Sequence, residues 1–508
     1  MNRRNFLALA GSGAAAIPLG AAPPRPNILL ILGDNQQSTT IANRSVCRTP
    51  NINRLADDGM LFHRAYTNAA VCSPARNALL TGAFNWAFGT YNQPDNSTAM
   101  ATDPFPDVVT YAQRLRAAGY RLGYNGKWHT SVSRSPLDFG YHEIGAPDRY
   151  RGAIADLPRK LGLKEPGQAE EGKRIPAKTV SWPGSQPFGL WGYSDCEEER
   201  TLYAETADAA IGMIRRFAEG AQPWMVEVHF PESSRGWPLR KYRERYDARA
   251  IPVSPNFRDK FVNKPAIQKR DAETYGSMTD EDYREGRAFY YASFEQLDTQ
   301  VGRLLSALEA TGQSDRTLVI FAADHGAPWG AHHMWIPNFA PYEELYRIPM
   351  VMRWPDRIPK RSSCDRLAQL HDIGHTLMDV LGLPPLPHPH GVSLAPLWKE
   401  PARTGWRDMI LCPWYGQNFP MIQRMVITAR HKYVFNAYAY DECYDLERDP
   451  YELRNIARDS SRAAVVSDMQ ARTYELMNRF HDPFGEKPSI PGSVRFNLQR
   501  YLPQGRRL

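Results

Sequence analysis

Two short apolar runs, each ending in polar residues, decide the fold of this chain. Residues 28–35 read ILLILGDN, and residues 317–326 read TLVIFAADHG. Short, wholly apolar runs that stop at turn residues are typical of strands buried on both faces, as in a parallel sheet. Ligands of such sheets bind at the carboxyl ends of the strands, so we expect Asp34 and Asp324 at the functional edge.

Other strands and helices alternate between these two runs. Tyr120–Tyr124 and Trp224–Val228 are predicted strands, whereas Pro106–Gly119 and Ala288–Thr311 carry apolar residues at helical spacing. This alternation predicts an α/β fold with a doubly wound, mostly parallel sheet flanked by helices.

The pattern changes near residue 400. Three apolar stretches, followed by a helix from about Ser461 to His481, predict a smaller C-terminal α+β domain built on an antiparallel sheet. The three predicted strands are Met409–Tyr415, Met425–Ala429 and Lys432–Phe435. We therefore divide the chain after residue 22 into a large domain, residues 23–400, and a C-terminal subdomain, residues 401–508.

The first residues have the pattern of an export signal. Arg3 and Arg4 are adjacent, and a weakly hydrophobic Ala/Gly stretch follows them and ends in small residues at Ala21 and Ala22. Residues 1–22 are interpreted as a twin-arginine signal peptide, which implies the Tat export machinery as a partner and a periplasmic or secreted protein. A disordered basic start is the alternative. No later segment approaches about 18 continuous apolar residues, so we expect no membrane span.

Composition excludes several classes of protein. Of the 508 residues, 42% are hydrophobic and 23% are charged, which is globular composition and excludes a wholly disordered chain. A net charge of +7 favours anionic partners but is too dispersed to name one. Six cysteines without zinc spacing are too few for a disulfide scaffold. We find neither a Gly-rich phosphate loop nor a nucleic-acid module, and therefore expect no nucleic-acid partner.

The strongest local motif is Cys72-Ser73-Pro74-Ala75-Arg76, followed by NALLTG. Ser-Pro after a cysteine predicts that Cys72 lies at a helix N-terminus, which stabilises a thiolate or another anion. Arg76 would lie one turn later on the same face, as an anion clamp. These residues alone leave open whether Cys72 is a nucleophile or an ordinary buried thiol.

This motif resembles the Cys-x-Pro-x-Arg signature of the formylglycine-dependent sulfatases, which belong to the alkaline-phosphatase-like superfamily. Further segments match that family in the same order and cover most of the chain after the signal. They are Pro26–Asp34, Thr49–Ile52, Gly126-Lys127-Trp128-His129, Leu297-Asp298, Asp324-His325-Gly326, Tyr342-Glu343-Glu344 and Tyr444-Asp445-Leu446. The resemblance implies an alkaline-phosphatase-like fold, with the large domain as the catalytic one.

The resemblance also implies a modified nucleophile. In this family a maturation enzyme oxidises the cysteine, here Cys72, to formylglycine (3-oxoalanine), whose aldehyde is hydrated to a geminal diol. One diol oxygen attacks sulfur, and the second hydroxyl then expels sulfate and restores the aldehyde. A thiol cannot complete that last step, because its sulfated adduct has no neighbouring hydroxyl.

A metal site follows from the same resemblance. Two carboxylates at the ends of apolar strands are costly without a partner, and oxygen ligands suit Ca²⁺, the usual metal of the family. The implied ligands are Asp34, Asn35, Cys72, Asp324 and His325. Without the resemblance, either aspartate could instead cap a helix or a turn.

The resemblance also implies that three cationic side chains contact the sulfate group of the substrate. Arg76, Lys127 and His129 form a basic wall around it. Lys127 bridges the diol and a sulfate oxygen, and His129 assists the hydroxyl that releases sulfate. Each of these residues alone is more often an ordinary surface cation or a satisfied histidine.

Two positions depart from the family pattern. Glu232 stands where the family usually has a histidine, and Asn338 where it usually has a lysine. Those two family residues contact the sulfate and stabilise the leaving group. We predict His229 as the catalytic substitute and Glu232, His333 and Asn338 as substrate-binding residues. The alternatives are His332 or His333 in place of His229, a protonated Glu232 as the acid, or a substrate whose leaving group needs less help.

These observations predict a sulfuric ester hydrolase that acts on a sulfated carbohydrate. The export signal, the basic charge and a segment rich in Tyr and Arg, Ser233–Gly286, favour that substrate. We interpret the segment as an excursion over the sheet edge that lines a cleft. One alternative is a phosphonate or phosphate monoester hydrolase of the same superfamily. The other is a non-catalytic protein that binds sulfated glycans.

Overall fold

A computed structural model describes residues 25–42, 46–95, 98–147, 160, 162, 173–181, 186–231, 236–336, 340–417 and 420–486. The predicted signal peptide, Glu232 and Asn338 lie outside the described residues.

Strands and α-helices are numbered in chain order through the described residues. Strands β1 to β17 are Asn27–Gly33, Met60–Phe62, Ala65–Tyr66, Arg121–Gly126, Glu143–Pro147, Lys173–Val180, Phe188–Asp195, Trp224–His229, Thr317–Ala323, Arg347–Ile348, Met350–Arg353, Ser362–Cys364, Ala368–Gln369, Met409–Gly416, Pro420–Thr428, His431–Asn436 and Glu442–Asp445. Helices α1 to α13 are Pro50–Asp57, Cys72–Thr81, Asn85–Phe88, Tyr111–Ala117, Leu202–Ala218, Arg240–Arg243, Ala266–Glu273, Asp280–Ala310, Glu343–Tyr346, Asp372–Val380, Ala395–Lys399, Ala463–Arg479 and Pro483–Glu486.

The large sheet has eight strands in the order β12-β2-β11-β9-β1-β8-β4-β5. Strand β1 is parallel to both of its neighbours, β8 and β9, and β4 continues the parallel run beside β8. Strand β11 is antiparallel to β9. The prediction of a doubly wound, mostly parallel sheet is therefore confirmed.

Helices cover both faces of this sheet, which explains why β1 is apolar throughout. Leu29 and Ile31 pack in one core with residues of α5 and α8, whereas Leu30 packs in the other core with residues of α2, α4 and α10. All seven residues of β1 are buried. A strand enclosed in this way has no solvent face that would require polar residues.

Capping residues place two helix starts away from their predicted positions. Helix α4 begins after Thr110, whose side chain accepts from the Gln113 amide in a capping box, and not at Pro106. Helix α8 begins after Thr279, in a capping box with Asp282, and so starts earlier than the predicted Ala288. The first turn of α8 is polar, so its apolar spacing does not reveal the true beginning.

The smaller antiparallel sheet, β14-β15-β16-β17, is also confirmed. One of its faces packs against Val71 and Leu345 of the large domain, and its other face packs against α12. The division at residue 400 stays a prediction. Among the described residues, no helix is long and apolar enough to cross a membrane.

Candidate active site

Four adjacent parallel strands end at one edge of the sheet and bring their polar ends together. Asp34 follows β1, Asp324 follows β9, Lys127 follows β4, and His229 ends β8. Gly126 makes the close approach of β4 to β8 possible. Its φ is 88°, and a Cβ atom there would lie 2.0 Å from the His229 carbonyl oxygen.

Arg76 lies at the centre of this edge and contacts residues at all four strand ends. It is fully buried on α2, and its Nη2 lies 2.8 Å from Asp34 Oδ2 and 2.9 Å from Asp324 Oδ2. Its Nε donates to the same Asp324 oxygen at 3.1 Å, and its Nη1 lies 3.1 Å from the Lys127 carbonyl and 2.9 Å from His229 Nδ1. A guanidinium has five N–H groups, and all five are used. The expected anion clamp therefore has no N–H left for a sulfate oxygen, and Arg76 instead orders its neighbours.

Two carboxylates and two cations balance each other at this edge. Lys127 Nζ lies 2.7 Å from Asp34 Oδ2, which also accepts from Arg76. Burial alone would raise the pKa of Asp34, but Lys127 and Arg76 hold it well below its usual range. Asp34 is therefore a carboxylate in the folded protein.

Cys72 is the first residue of α2 and faces this cluster. Its Sγ lies 3.4 Å from Lys127 Nζ and 3.3 Å from His325 Nε2. The His325 Nδ1 lies 2.7 Å from the Gly326 carbonyl, so Nδ1 is the donor and Nε2 is left to face the sulfur. One ligand atom each of Cys72, Asp324 and His325 lie within 4.8 Å of one another.

The oxygen atoms here fit a hard cation. Asn35 has a φ of 58°, and its side-chain amide donates to Asp34. Its Oδ1 is buried and has no hydrogen-bond partner in the part of the chain that the structure describes. The backbone N–H groups of Asn35 and His325 fix Asp324 by donating to its Oδ1 at 3.1 and 2.8 Å. A buried, unsatisfied carbonyl oxygen beside two carboxylates is the donor set that Ca²⁺ prefers.

His129 lies against Cys72, with a backbone φ of 46°. Its Nε2 is 3.1 Å from Asp95 Oδ1. Burial lowers the pKa of His129, but hydrogen bonds with Asp95 and Cys72 raise it above the usual value overall. Nothing local in the sequence marks Asp95 as this partner, because it comes from a loop far from His129 along the chain.

His229 is buried within the protein. Its Nδ1 accepts from Arg76 and lies 2.8 Å from the Tyr124 hydroxyl, which donates to the Lys127 carbonyl. Burial and the charge of Arg76 lower the pKa of His229 well below its usual value. These contacts favour support of Arg76 over the predicted role as a leaving-group acid. Nothing in the sequence marks Tyr124 as this neighbour beyond its position in a predicted strand.

His332 and His333 are held by the segment before α8. His333 Nε2 lies 2.7 Å from the Tyr275 carbonyl, and its ring stacks on Phe257. His332 Nδ1 lies 2.7 Å from Asp259 Oδ2. Within the part of the chain that the structure describes, no hydrogen bond joins either histidine to Cys72 or its neighbours. The structure therefore does not bring His333 together with the residues at the strand ends.

Comparisons with known proteins identify the family of the chain. The Sulfatase family profile matches residues 26–383, and the profile "N-sulphoglucosamine sulphohydrolase, C-terminal" matches residues 330–479. An arylsulfatase of Clostridium perfringens is 26% identical, over 88% of this chain and 95% of that protein. An N-acetylglucosamine-6-O-sulfatase of Bacteroides thetaiotaomicron is 22% identical, over 98% and 94%.

Solved structures share the fold. The phosphonate monoester hydrolase of Agrobacterium radiobacter superposes with a TM-score of 0.73 at 24% identity, over 90% of this chain and 96% of that one. The family match covers well over half of the sequence, and the fold and the motif order agree with it. The chain belongs to the sulfatase family, within the alkaline-phosphatase-like superfamily, and is a sulfatase enzyme.

Proposed function

We propose that this sulfatase removes sulfate from a sulfated carbohydrate with a formylglycine nucleophile, made from Cys72, beside a bound Ca²⁺. One observation carries the proposal. Cys72 Sγ lies at the N-terminus of α2, between Lys127 Nζ and His325 Nε2, at 3.4 and 3.3 Å. A cysteine in that position has a cation on one side and the donor set for a dication on the other.

The residues around Cys72 have different roles in the proposed reaction. The hydrated aldehyde supplies the oxygen that attacks sulfur and the neighbouring hydroxyl that releases sulfate. Lys127 lies within reach of any oxygen that replaces Sγ, so it orients that oxygen and offsets its charge. His129, whose Nε2 is hydrogen-bonded to Asp95 and whose pKa is raised overall beside Cys72, holds a proton at the other side of the same position.

The cation and Arg76 have separate roles. Asp34, Asn35, Asp324 and His325 would hold Ca²⁺, which supplies positive charge for a sulfate oxygen. Arg76 gives all five of its N–H groups to the protein and thereby fixes the two aspartates and the Lys127 backbone. It acts on catalysis through the geometry of these neighbours.

Mass spectrometry of the tryptic peptide Ala65–Arg76 tests the nucleophile. Protein from the native host is expected to carry an aldehyde at residue 72 in place of a thiol. A peptide with only unmodified cysteine would overturn the enzymatic mechanism and favour a protein that binds sulfated glycans. The same peptide after expression without a maturation enzyme is the control, and it should carry the thiol.

Two observations support a sulfated carbohydrate as the substrate. The Bacteroides relative is an N-acetylglucosamine-6-O-sulfatase, and this chain carries a net charge of +7 that favours anionic polymers. Sulfate release should be measured on a panel of sulfated glycans and on small aryl sulfates. Activity confined to aryl or alkyl sulfates would contradict a carbohydrate substrate.

A second candidate is a phosphonate or phosphate monoester hydrolase. The structural likeness to the Agrobacterium enzyme favours it, although that likeness shows only a shared fold. Turnover of an aryl sulfate and of the aryl phosphonate with the same leaving group separates the two activities. A higher kcat/KM for the sulfate is expected.

We also propose export to the periplasm or beyond, through the Tat machinery. The adjacent Arg3 and Arg4 support this. Replacing both with lysine should retain the protein in the cytoplasm of the native host, as measured by fractionation. Unchanged export of that variant would contradict the proposal.

A further inference from the structure

A second buried cluster lies where three separate parts of the chain meet. His332 and Glu344 come from the region after β9, and Glu452 comes from the C-terminal subdomain. One ring nitrogen and one carboxylate oxygen from each glutamate lie within 4.8 Å of one another. None of these residues belongs to the cluster around Cys72.

His332 is held as a ligand would be. It is fully buried, its φ is 51°, and its ring stacks on Tyr342. Its Nδ1 lies 2.7 Å from Asp259 Oδ2, while its Nε2 is buried and has no hydrogen-bond partner among the described residues. Since Asp259 takes Nδ1, Nε2 is the nitrogen left for the two glutamates. Metal-binding histidines almost always donate their other ring N–H to a carboxylate in this way.

The two glutamates are fixed by neighbours of their own. Glu452 accepts from Lys432 Nζ on Oε1 and from the Glu343 backbone N–H on Oε2, both at 2.7 Å. Glu344 accepts from Asn256 Nδ2 on Oε1, also at 2.7 Å. The side chains are therefore oriented before any ligand arrives.

The charges of this cluster do not balance. Its acids are Asp259, Glu343, Glu344 and Glu452, and its cations are Lys264, Lys432 and Arg347, so the acids outnumber the cations by 4 − 3 = 1. A dication would offset this excess of negative charge.

We propose that this cluster binds a divalent transition metal ion of the Zn²⁺ type through His332 Nε2 and one carboxylate oxygen each of Glu344 and Glu452. Imidazole with two carboxylates suits Zn²⁺ better than Ca²⁺, which prefers oxygen alone. In a tetrahedral site the donors lie about 3.4 Å apart, so the three side chains close in by about 1 Å on binding. Asp259 is the outer carboxylate that orients the histidine.

Such an ion would clamp three parts of the chain together. Lys264 joins Asp259 to the Glu452 backbone carbonyl, so the segment before α8 already contacts the C-terminal subdomain here. The metal would add a bond from each glutamate to the loop that carries His332. The site is independent of the proposed reaction, because it shares no residue with the Cys72 cluster.

Zinc binding tests the proposal in full-length protein. Cys72→Ala/Asp324→Asn serves as the parent, because it removes two ligands of the other candidate site. After chelation and dialysis, Zn²⁺ is titrated by calorimetry and the thermal midpoint is followed. The parent is expected to bind one Zn²⁺ and to melt at a higher temperature with it. His332→Gln and Glu344→Gln should each weaken binding at least about 10-fold and remove the rise in midpoint.

His333→Gln is the matched control, because it changes the adjacent histidine outside the cluster, and it should bind like the parent. Glu344 is half-buried, so Glu344→Gln keeps the test decisive if His332→Gln does not fold. Co²⁺ provides a second readout, since visible absorption from a histidine-ligated ion should disappear in both variants. Absence of Zn²⁺ binding in the parent, or equal affinity in the parent and His332→Gln, would overturn the proposal.

Discussion

Two buried clusters of acids and cations lie in this sulfatase, and they are built in opposite ways. The catalytic-edge cluster joins Asp34, Arg76, Lys127 and Asp324 at the ends of adjacent strands and on α2, and its two acids match its two cations. The junction cluster, around His332 and Glu452, joins distant segments and has more acids than lysines. At the sheet edge, strand pairing itself positions the side chains. At the junction, the positions of the side chains depend on how separate segments of the chain pack against one another.

Removing the proposed nucleophile should have the largest effect, because it changes the chemistry of the catalytic edge and leaves the junction cluster intact. Cys72→Ala is expected to lower kcat/KM by at least about 10³-fold, because no other side chain replaces the attacking group. Steady-state sulfate release measures this. Cys443→Ala, which removes a different buried cysteine in β17, should keep activity. Comparable losses in both variants would mean that general damage, and not lost chemistry, explains the first.

Removing one central cation from each cluster compares them directly. Arg76→Met and Lys432→Met each take one buried cation away from two carboxylates. Each variant should therefore lower the free energy of unfolding by about 3–5 kcal/mol. Denaturant unfolding with chelator measures both. Added Ca²⁺ should restore stability to Arg76→Met more than to Lys432→Met, because only the edge fits an oxygen-preferring ion. Equal recovery would remove the chemical distinction between the clusters.

The sheet and the catalytic edge could be predicted because contiguous residues encode them. β1 and β9 are unbroken apolar runs, and their bounds match the prediction to within a residue. The motif around Cys72 needs only one helix to bring Arg76 beneath it. The catalytic roles of Lys127 and His129 stay predictions, whereas the contacts of His229 favour support of Arg76 over its predicted catalytic role.

The remaining contacts depend on register and on docking, which sequence spacing does not contain. Tyr124 meets His229 only because β4 and β8 pair in one particular register. Asp95 reaches His129 from a separate loop, and Glu452 reaches His332 across the junction of the C-terminal sheet. All five N–H groups of Arg76 have partners only because four strand ends pack around it, and no local spacing predicts that arrangement.

A third buried acid beneath the catalytic edge gives a pH test. Glu227, in β8, accepts from the hydroxyls of Tyr111 and Tyr141, and burial raises its pKa to about 8. The unfolded value is about 4.5, so between these pH values the folded protein binds a proton that the unfolded chain does not. The contribution of Glu227 to the free energy of unfolding is therefore fully present below about pH 4.5 and is lost as the pH rises towards 8.

Glu227→Gln removes this titration. As the pH rises from 5 to 8, the wild type should lose about 2–4 kcal/mol more free energy of unfolding than the variant does. Denaturant unfolding at each pH measures the difference. Glu219→Gln changes an exposed glutamate at the end of α5 and should track the wild type throughout. A constant difference between Glu227→Gln and the wild type would mean that Glu227 is ionised in the folded protein.

The smallest expected effect comes from a single hydroxyl that supports the edge. Tyr124→Phe removes the group that donates to the Lys127 carbonyl and lies beside His229 Nδ1, yet Arg76 still bonds both atoms. Stability should fall by about 0.5–1.5 kcal/mol and kcat by a few-fold, because the backbone that carries Lys127 loses one of two restraints. Tyr120→Phe is the matched control, since its hydroxyl bonds the Pro26 carbonyl at the opposite end of the same strand. It should lose similar stability and keep kcat. Equal loss of kcat in both variants would show that activity follows stability of the whole sheet and not the geometry of its catalytic edge.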